Sequence, residues 1–258
     1  MRDTARLPLV LRALALVAAG LLALPLFGLL THVPWPDLAE RLMARELLAA
    51  LRLSVTTSLL AALLALLLGL PLAAWLAGPP SALRTAVRVL VTLPMVLPPV
   101  VAGVALLFAF GRSGLVTAPL GLQLPFTAAG VVIAEAYVAL PFLVLSVEGG
   151  LRALDPRHAE AAAVLGASPW TRLRRVTLPL VAPSIRAGLL VAWARALGEF
   201  GATITFAGNL TGETRTLPLA VYSALETDPE AALVLSLVLV AVSALVLLTL
   251  RRQWFPLR

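Results

Sequence analysis

Long apolar runs alternate with short polar, arginine-bearing segments along this 258-residue chain. A helix crosses a bilayer with about 20 mainly apolar residues, and six runs meet that length. They lie near 9 to 30, 49 to 77, 89 to 110, 126 to 147, 184 to 206 and 231 to 250. The pattern predicts an all-α, polytopic membrane protein with about six transmembrane helices. The third and fifth runs are the least uniform. In the third, Leu93-Pro94-Met95-Val96-Leu97-Pro98-Pro99 places Pro94, Pro98 and Pro99 at membrane depth, where the lost backbone donors must break or kink the helix. Such a break is either a packing kink or part of a pathway that it lines or gates. No linker or composition shift divides the chain, so 1–258 is expected to be one transmembrane domain. It comprises an added first helix and outer loop (1–48), a core (49–250) and, within the core, a polar loop (148–183). The first run is long and its flanks are poor in an Ala-x-Ala site, so it reads as a retained helix and not a cleaved signal.

The polar loop carries its own start and stop signals. Asp155-Pro156 pairs an N-cap with proline at the first helical position, and helical residues run to Leu165 before Gly166, a left-handed stop. Ser168-Pro169 repeats the start signal, predicting a second short helix through Trp170, Leu173 and Val176 that Pro179 ends. Ala159, Ala162 and Ala163 fall at helical spacing, and such small side chains let another protein surface approach the backbone. The segment reads as a docking knob of two short helices.

Composition narrows the class. Hydrophobic residues make up 60% of the chain and charged ones 13%, where a soluble domain carries about 25% charged residues; the mean hydropathy is +0.99. Every basic residue is arginine. With the N-terminus inside, the inner set is Arg2, Arg6, Arg12, Arg84, Arg88, Arg152, Arg157, Arg172, Arg174, Arg175, Arg186, Arg251, Arg252 and Arg258, or 14 of 20. The outer set is Arg41, Arg45, Arg112 and Arg215, while Arg52 and Arg195 lie at or within helices. The positive-inside rule therefore expects both termini and the 148–183 loop in the cytoplasm. The net charge of +7 comes from scattered loop arginines, which gives no support to nucleic-acid binding. Absence of cysteine excludes a disulfide framework and thiolate metal sites.

Charges inside the spans are fewer. Arg195 and Glu199 stand one turn apart, so an i,i+4 ion pair is expected to hold both within the bundle. Glu135 reads as structurally paired, and Tyr137 and Pro141 nearby leave open that it lies near the outer end of its span. Gly201, Thr203, Thr205 and Gly208 form a small, hydroxyl-bearing run suited to close helix packing or to a polar lining. A catalytic reading has no support, because only His32 and His158 exist, and no Ser-His dyad, His-x-x-x-His pair or other metal cluster can be built from their neighbours. No phosphate-cradling Gly-x-x-x-x-Gly-Lys-Ser/Thr loop occurs, so any ATP energy must come from a partner.

The segment Glu160-Ala161-Ala162, Gly166, Leu178-Pro179 resembles the cytoplasmic motif of binding-protein-dependent ABC importer permeases, with Val176 where that family most often has isoleucine. The resemblance implies a type I permease fold and a coupling helix over about Pro156 to Trp170. Glu160, Ala161, Ala162, Gly166, Ala167, Trp170, Leu178 and Pro179 would then seat in a cytoplasmic ABC ATPase dimer that holds the ATP and Mg²⁺, with no cofactor on this chain. Arg195 to Phe206, followed by Gly212 to Pro218, looks like the fifth helix and outer loop of molybdate permeases, and Leu93 to Val101 looks like the wider oxyanion group. What this implies is a homodimeric permease served by an extracytoplasmic molybdate-binding protein. A transiting dianion is released more readily from hydroxyls and helix N-termini than from an arginine cage. Thr203 and Thr205 are accordingly expected to line the path, Arg195 and Glu199 to hold its geometry, and Pro94, Pro98 and Pro99 to supply the helix break. Sulfate, thiosulfate and tungstate are alternative cargoes. The alternative of an ATPase-independent carrier, with Glu135 and Glu199 relaying protons, gives no reason for the two-helix loop.

Overall fold

The computed structural model describes residues 8–254. Arg2, Arg6 and Arg258 of the inner arginine set lie outside the described residues. The chain begins with α1 (Leu9–His32), a 3-10 turn (Trp35–Asp37) and α2 (Leu38–Leu42), followed by α3 (Arg45–Leu76), α4 (Ala82–Val96), α5 (Pro99–Phe110), α6 (Thr117–Leu120) and α7 (Ala128–Arg152). Next come α8 (Pro156–Val164), α9 (Pro169–Arg172), a π-helical turn (Leu173–Thr177), α10 (Leu178–Leu197), α11 (Gly201–Ala207), α12 (Leu217–Thr227) and α13 (Pro229–Trp254). Among the described residues five helical stretches are each long and apolar enough to cross a membrane, where the run pattern predicts six.

The difference lies in the 89–110 run, which is two helices. Leu97 and Pro98 are extended, with ψ of 136° and 133°, and α5 restarts at Pro99. Pro98 and Pro99 lack the N–H groups that would bond to the carbonyls of Pro94 and Met95. A residue followed by proline is also pushed out of the helical region. Pro94 stays inside α4. The 184–206 run likewise breaks, at Gly198 to Phe200, separating α10 from α11.

One expectation at the polar loop is overturned. Pro179 does not end the second short helix, because α9 continues through the π-helical turn into α10. Leu178 donates its N–H to the Leu173 carbonyl, five residues back. That wider turn moves the preceding carbonyls away from the positions where a proline ring collides in an α-helix.

The core is a three-helix seam built on small residues. Ala61, Ala65, Gly69 and Ala73 recur every fourth residue on α3 and are all buried, which lets the α7 backbone approach closely. A Cβ on Gly69 would lie 3.0 Å from Leu143 Cδ2. The two helices run parallel, with Thr57 meeting Glu135 near one end and the Leu76 carbonyl meeting Arg152 at the other. Antiparallel to them, α10 packs on α7 through exchanged small residues. A Cβ on Gly188 would fall 2.7 Å from Ser146 Cβ, and Ser146 Oγ donates to the Ser184 carbonyl at 2.9 Å. Two satellite clusters flank this seam, one where α5 and α11 meet α7 (Ala102, Leu106, Val138, Phe206) and one where α12 and α13 meet the start of α3 (Leu47, Leu217, Val234). By contrast α1 buries none of its residues, and Leu59, Leu63 and Leu67 of α3 point outward, as an apolar solvent allows.

Candidate functional site: an exposed two-helix loop and two broken helices

Local capping builds the loop as its sequence predicts. Asp155 accepts from the Arg157 N–H at 2.9 Å, and Ser168 accepts from the Thr171 N–H at 3.2 Å. Gly166 takes a φ of +81°, and the Gly166 and Ala167 N–H groups close back on the Ala163 and Ala162 carbonyls, satisfying acceptors at the end of α8. Glu160 and Ala161 are exposed, Ala162, Ala167 and Leu178 half-buried, and Pro179 exposed. Of the small residues expected on one face, Ala159 and Ala162 are half-buried and Ala163 is exposed. The tip is apolar and bare: Val164 is 88% exposed, Leu165 86% and Trp170 68%. A glycine-closed turn thus holds three large apolar side chains outward.

Deeper in the bundle the two helix breaks lie side by side. A Cβ on Gly201, which opens α11, would be 2.5 Å from Cβ of Pro99, which opens α5. A Cβ on Gly103 would be 2.5 Å from Thr205 Cβ, so glycines let the two half-helices touch along their length. Glu199 stands in the second break and accepts from the Ala202 N–H at 2.8 Å, capping α11. Its contact with Arg195 is the expected i,i+4 pair but a long one, at 4.0 Å, and the Arg195 guanidinium lies over the Phe142 ring. The backbone therefore holds Glu199 more closely than the arginine does. Thr203 is fully buried and its hydroxyl has no hydrogen-bond partner among the described residues, while Thr205 is half-buried and donates to the Gly201 carbonyl at 2.8 Å. Glu135 is buried against α3, where Thr57 donates to it at 3.1 Å.

Sequence reasoning missed two groups. Ser54, Thr57 and Ser58 form a buried hydroxyl stripe on α3: Ser54 accepts the Leu217 N–H that opens α12, Thr57 holds Glu135, and Ser58 accepts from Trp193. Their spacing at i, i+3 and i+4 in an otherwise apolar run is the signal that could have found them. The second group is Glu148 with Arg88 and Arg152, whose arginines read in the sequence only as topological charges.

Comparisons with known proteins agree with this geometry. Residues 65–255 match the family model described as binding-protein-dependent transport system inner membrane component. The molybdenum transport system permease protein ModB of Mycobacterium tuberculosis is 45% identical over 237 residues, covering 91% of this chain and 90% of that protein. ModB of Haemophilus influenzae is 40% identical over 163 residues, covering 62% of this chain and 71% of that one. Among solved structures, a bacterial alginate ABC transporter in complex with an alginate pentasaccharide-bound periplasmic protein superposes with a TM-score of 0.70 at 20% identity, covering 94% of both chains. The chain thus belongs to the family of binding-protein-dependent transport system inner membrane components.

Proposed function

We propose that this chain is the transmembrane permease subunit of an ATP-driven importer that carries molybdate into the cytoplasm. The observation that carries the coupling half of the reading is the loop tip, where Val164, Leu165 and Trp170 stand out around Gly166. Large exposed apolar side chains on a capped, rigid turn are stable in an assembly that covers them, and an ATPase dimer supplies such a cover. The cargo half rests on the 45% identity to the molybdenum permease of M. tuberculosis. In this reading the loop and both termini are cytoplasmic, ATP and Mg²⁺ belong to the partner ATPase, and the chain itself binds no cofactor. A second copy completes the path, and an extracytoplasmic binding protein delivers the anion.

The helix breaks are where the path is expected to change shape. Broken helices at membrane depth offer half-helix N-termini to an anion without a full positive charge. Glu199 already caps α11, so a dianion passing that point meets a neutralised end and is not trapped there. ATPase closure would push the loop, and the loop would move α7 and α10, which are locked together by Gly188 against Ser146.

Uptake of labelled molybdate into proteoliposomes holding this chain, its ATPase and its binding protein tests the proposal. ATP-dependent uptake that tungstate blocks and sulfate does not is the expected result. Competition by sulfate would move the cargo to the sulfate group, and uptake without the ATPase would overturn the importer reading.

A further inference from the structure

At the loop end of the bundle one carboxylate gathers three helices. Glu148, in the last turns of α7, keeps only 6% of its side chain exposed. Arg88 reaches it from α4 with Nε at 3.0 Å and Nη2 at 2.6 Å from Oε1, while Arg152, one turn farther along α7, adds Nη2 at 2.9 Å. Both guanidinium groups also donate, each at 3.2 Å, to the Leu76 carbonyl in the last turn of α3. That carbonyl has no acceptor role left within its own helix, and the negative end of the helix favours cations beside it.

The three helices do not depend on this cluster equally. Along their length α3 and α7 are joined by the small-residue seam, so they need no further tie. On α4, Val91 is the single buried residue, and an apolar helix with so little buried surface is placed against its neighbours by its polar contacts. Arg88 is the polar contact that fixes α4 against α7, with two nitrogens on one carboxylate and one of them shared with a backbone carbonyl. From Arg88 the same helix runs to the break at Leu97 and Pro98, beyond which Pro99 rests on Gly201. From Glu148, α7 runs four residues to its end, where the exposed loop begins.

We propose that Glu148 is a positioning residue for coupling: through Arg88 it makes α4 follow the loop end of α7, so that movement of the two-helix loop reaches the paired helix breaks. The inference rests on the importer reading above. It assigns distinct tasks to the two arginines, since Arg88 joins two helices whereas Arg152 bonds within its own helix and to α3, which the seam already holds.

The test compares Arg88→Gln, Arg88→Lys, Arg152→Gln and the unmodified chain, each reconstituted with ATPase and binding protein, reading molybdate transported per ATP hydrolysed alongside thermal stability in detergent. The expected result is a loss of about tenfold in transport per ATP for Arg88→Gln, with ATP hydrolysis persisting. Arg88→Lys, which keeps the charge but not the fork, recovers part of it, and Arg152→Gln loses at most about twofold. Equal losses in Arg88→Gln and Arg152→Gln that follow their thermal stabilities would overturn the assignment, as would full coupling in Arg88→Gln. Should Arg88→Gln not fold, full coupling in Arg88→Lys overturns it equally. If the unmodified chain itself shows no ATP-dependent transport, the importer reading fails instead, whatever the variants do.

Discussion

Gly201 rests on Pro99 so closely that a Cβ added to the glycine would lie 2.5 Å from the proline Cβ and 3.3 Å from its carbonyl carbon. Each residue opens a half-helix after a break, so the contact locks two discontinuities together. Gly201→Val is expected to destabilise the fold by about 1 to 3 kcal/mol through overpacking against rigid backbone. Gly198→Ala, only three residues away, meets nothing closer than the Ala194 carbonyl at 3.6 Å and should be nearly silent. Thermal unfolding of the two purified variants makes the comparison, and an equal loss in both would refute the contact.

Gly166 is a purely conformational case. A Cβ there meets nothing within 4 Å, yet φ is +81°. Gly166→Val should cost about 1 to 2 kcal/mol locally by forcing a left-handed β-branched residue, tilting the loop tip. Transport should fall and ATP hydrolysis should lose its dependence on the binding protein. Retained dependence, measured in proteoliposomes, would argue against this loop as the coupling element.

Trp170 is 68% exposed in the single turn of α9 that Ser168 caps. Trp170→Ala should leave the permease's own stability within about 0.5 kcal/mol, while costing about 2 kcal/mol or more in association with the ATPase, as an aromatic anchor does. Co-purification of the ATPase at graded concentrations, set against a melting curve of the permease alone, separates the two effects.

Thr203 is fully buried, with a hydroxyl that has no partner among the described residues. Thr203→Val removes an unsatisfied polar group at almost constant volume, so the fold should be unchanged or steadier by up to about 1 kcal/mol. If this hydroxyl meets the anion during transport, uptake falls in the same variant. A steadier protein with unchanged uptake would remove Thr203 from the pathway.

Asp228 ties the far end of the bundle together. It accepts the Ala231 N–H at 3.0 Å and binds Arg41 at 3.2 Å, and Arg41 also pairs with Glu230. The Ala231 amide first, and the Arg41 guanidinium with it, hold the Asp228 carboxyl below its ordinary range. With the folded pKa below the unfolded value of about 3.9, the contribution is present above that value and is lost as pH falls through the folded pKa. Melting curves of Asp228→Asn and the parent should therefore differ at neutral pH and converge below about pH 4. A constant difference across the range would contradict this.

How much of the fold and the site is legible in the sequence depends on the range of the interaction. Run lengths placed the long helices, since the apolar thickness of a bilayer is a local requirement that each segment meets alone. Asp155, Pro156, Gly166 and Ser168 announced the two-helix loop because caps and left-handed turns are set by neighbours in the chain. The prolines at 98 and 99 announced a break for the same reason. Tertiary structure alone decided the rest. It carried the helix past Pro179 through a π-helical turn, drew the Arg195 guanidinium over the Phe142 ring and 4.0 Å from Glu199, and put Gly201 on Pro99. It also brought Arg88 to Glu148 across 60 residues. Nothing in the local pattern encodes those pairings: they depend on which faces the seam of α3, α7 and α10 leaves free, and a charge acquires its role only from the helix packed opposite it.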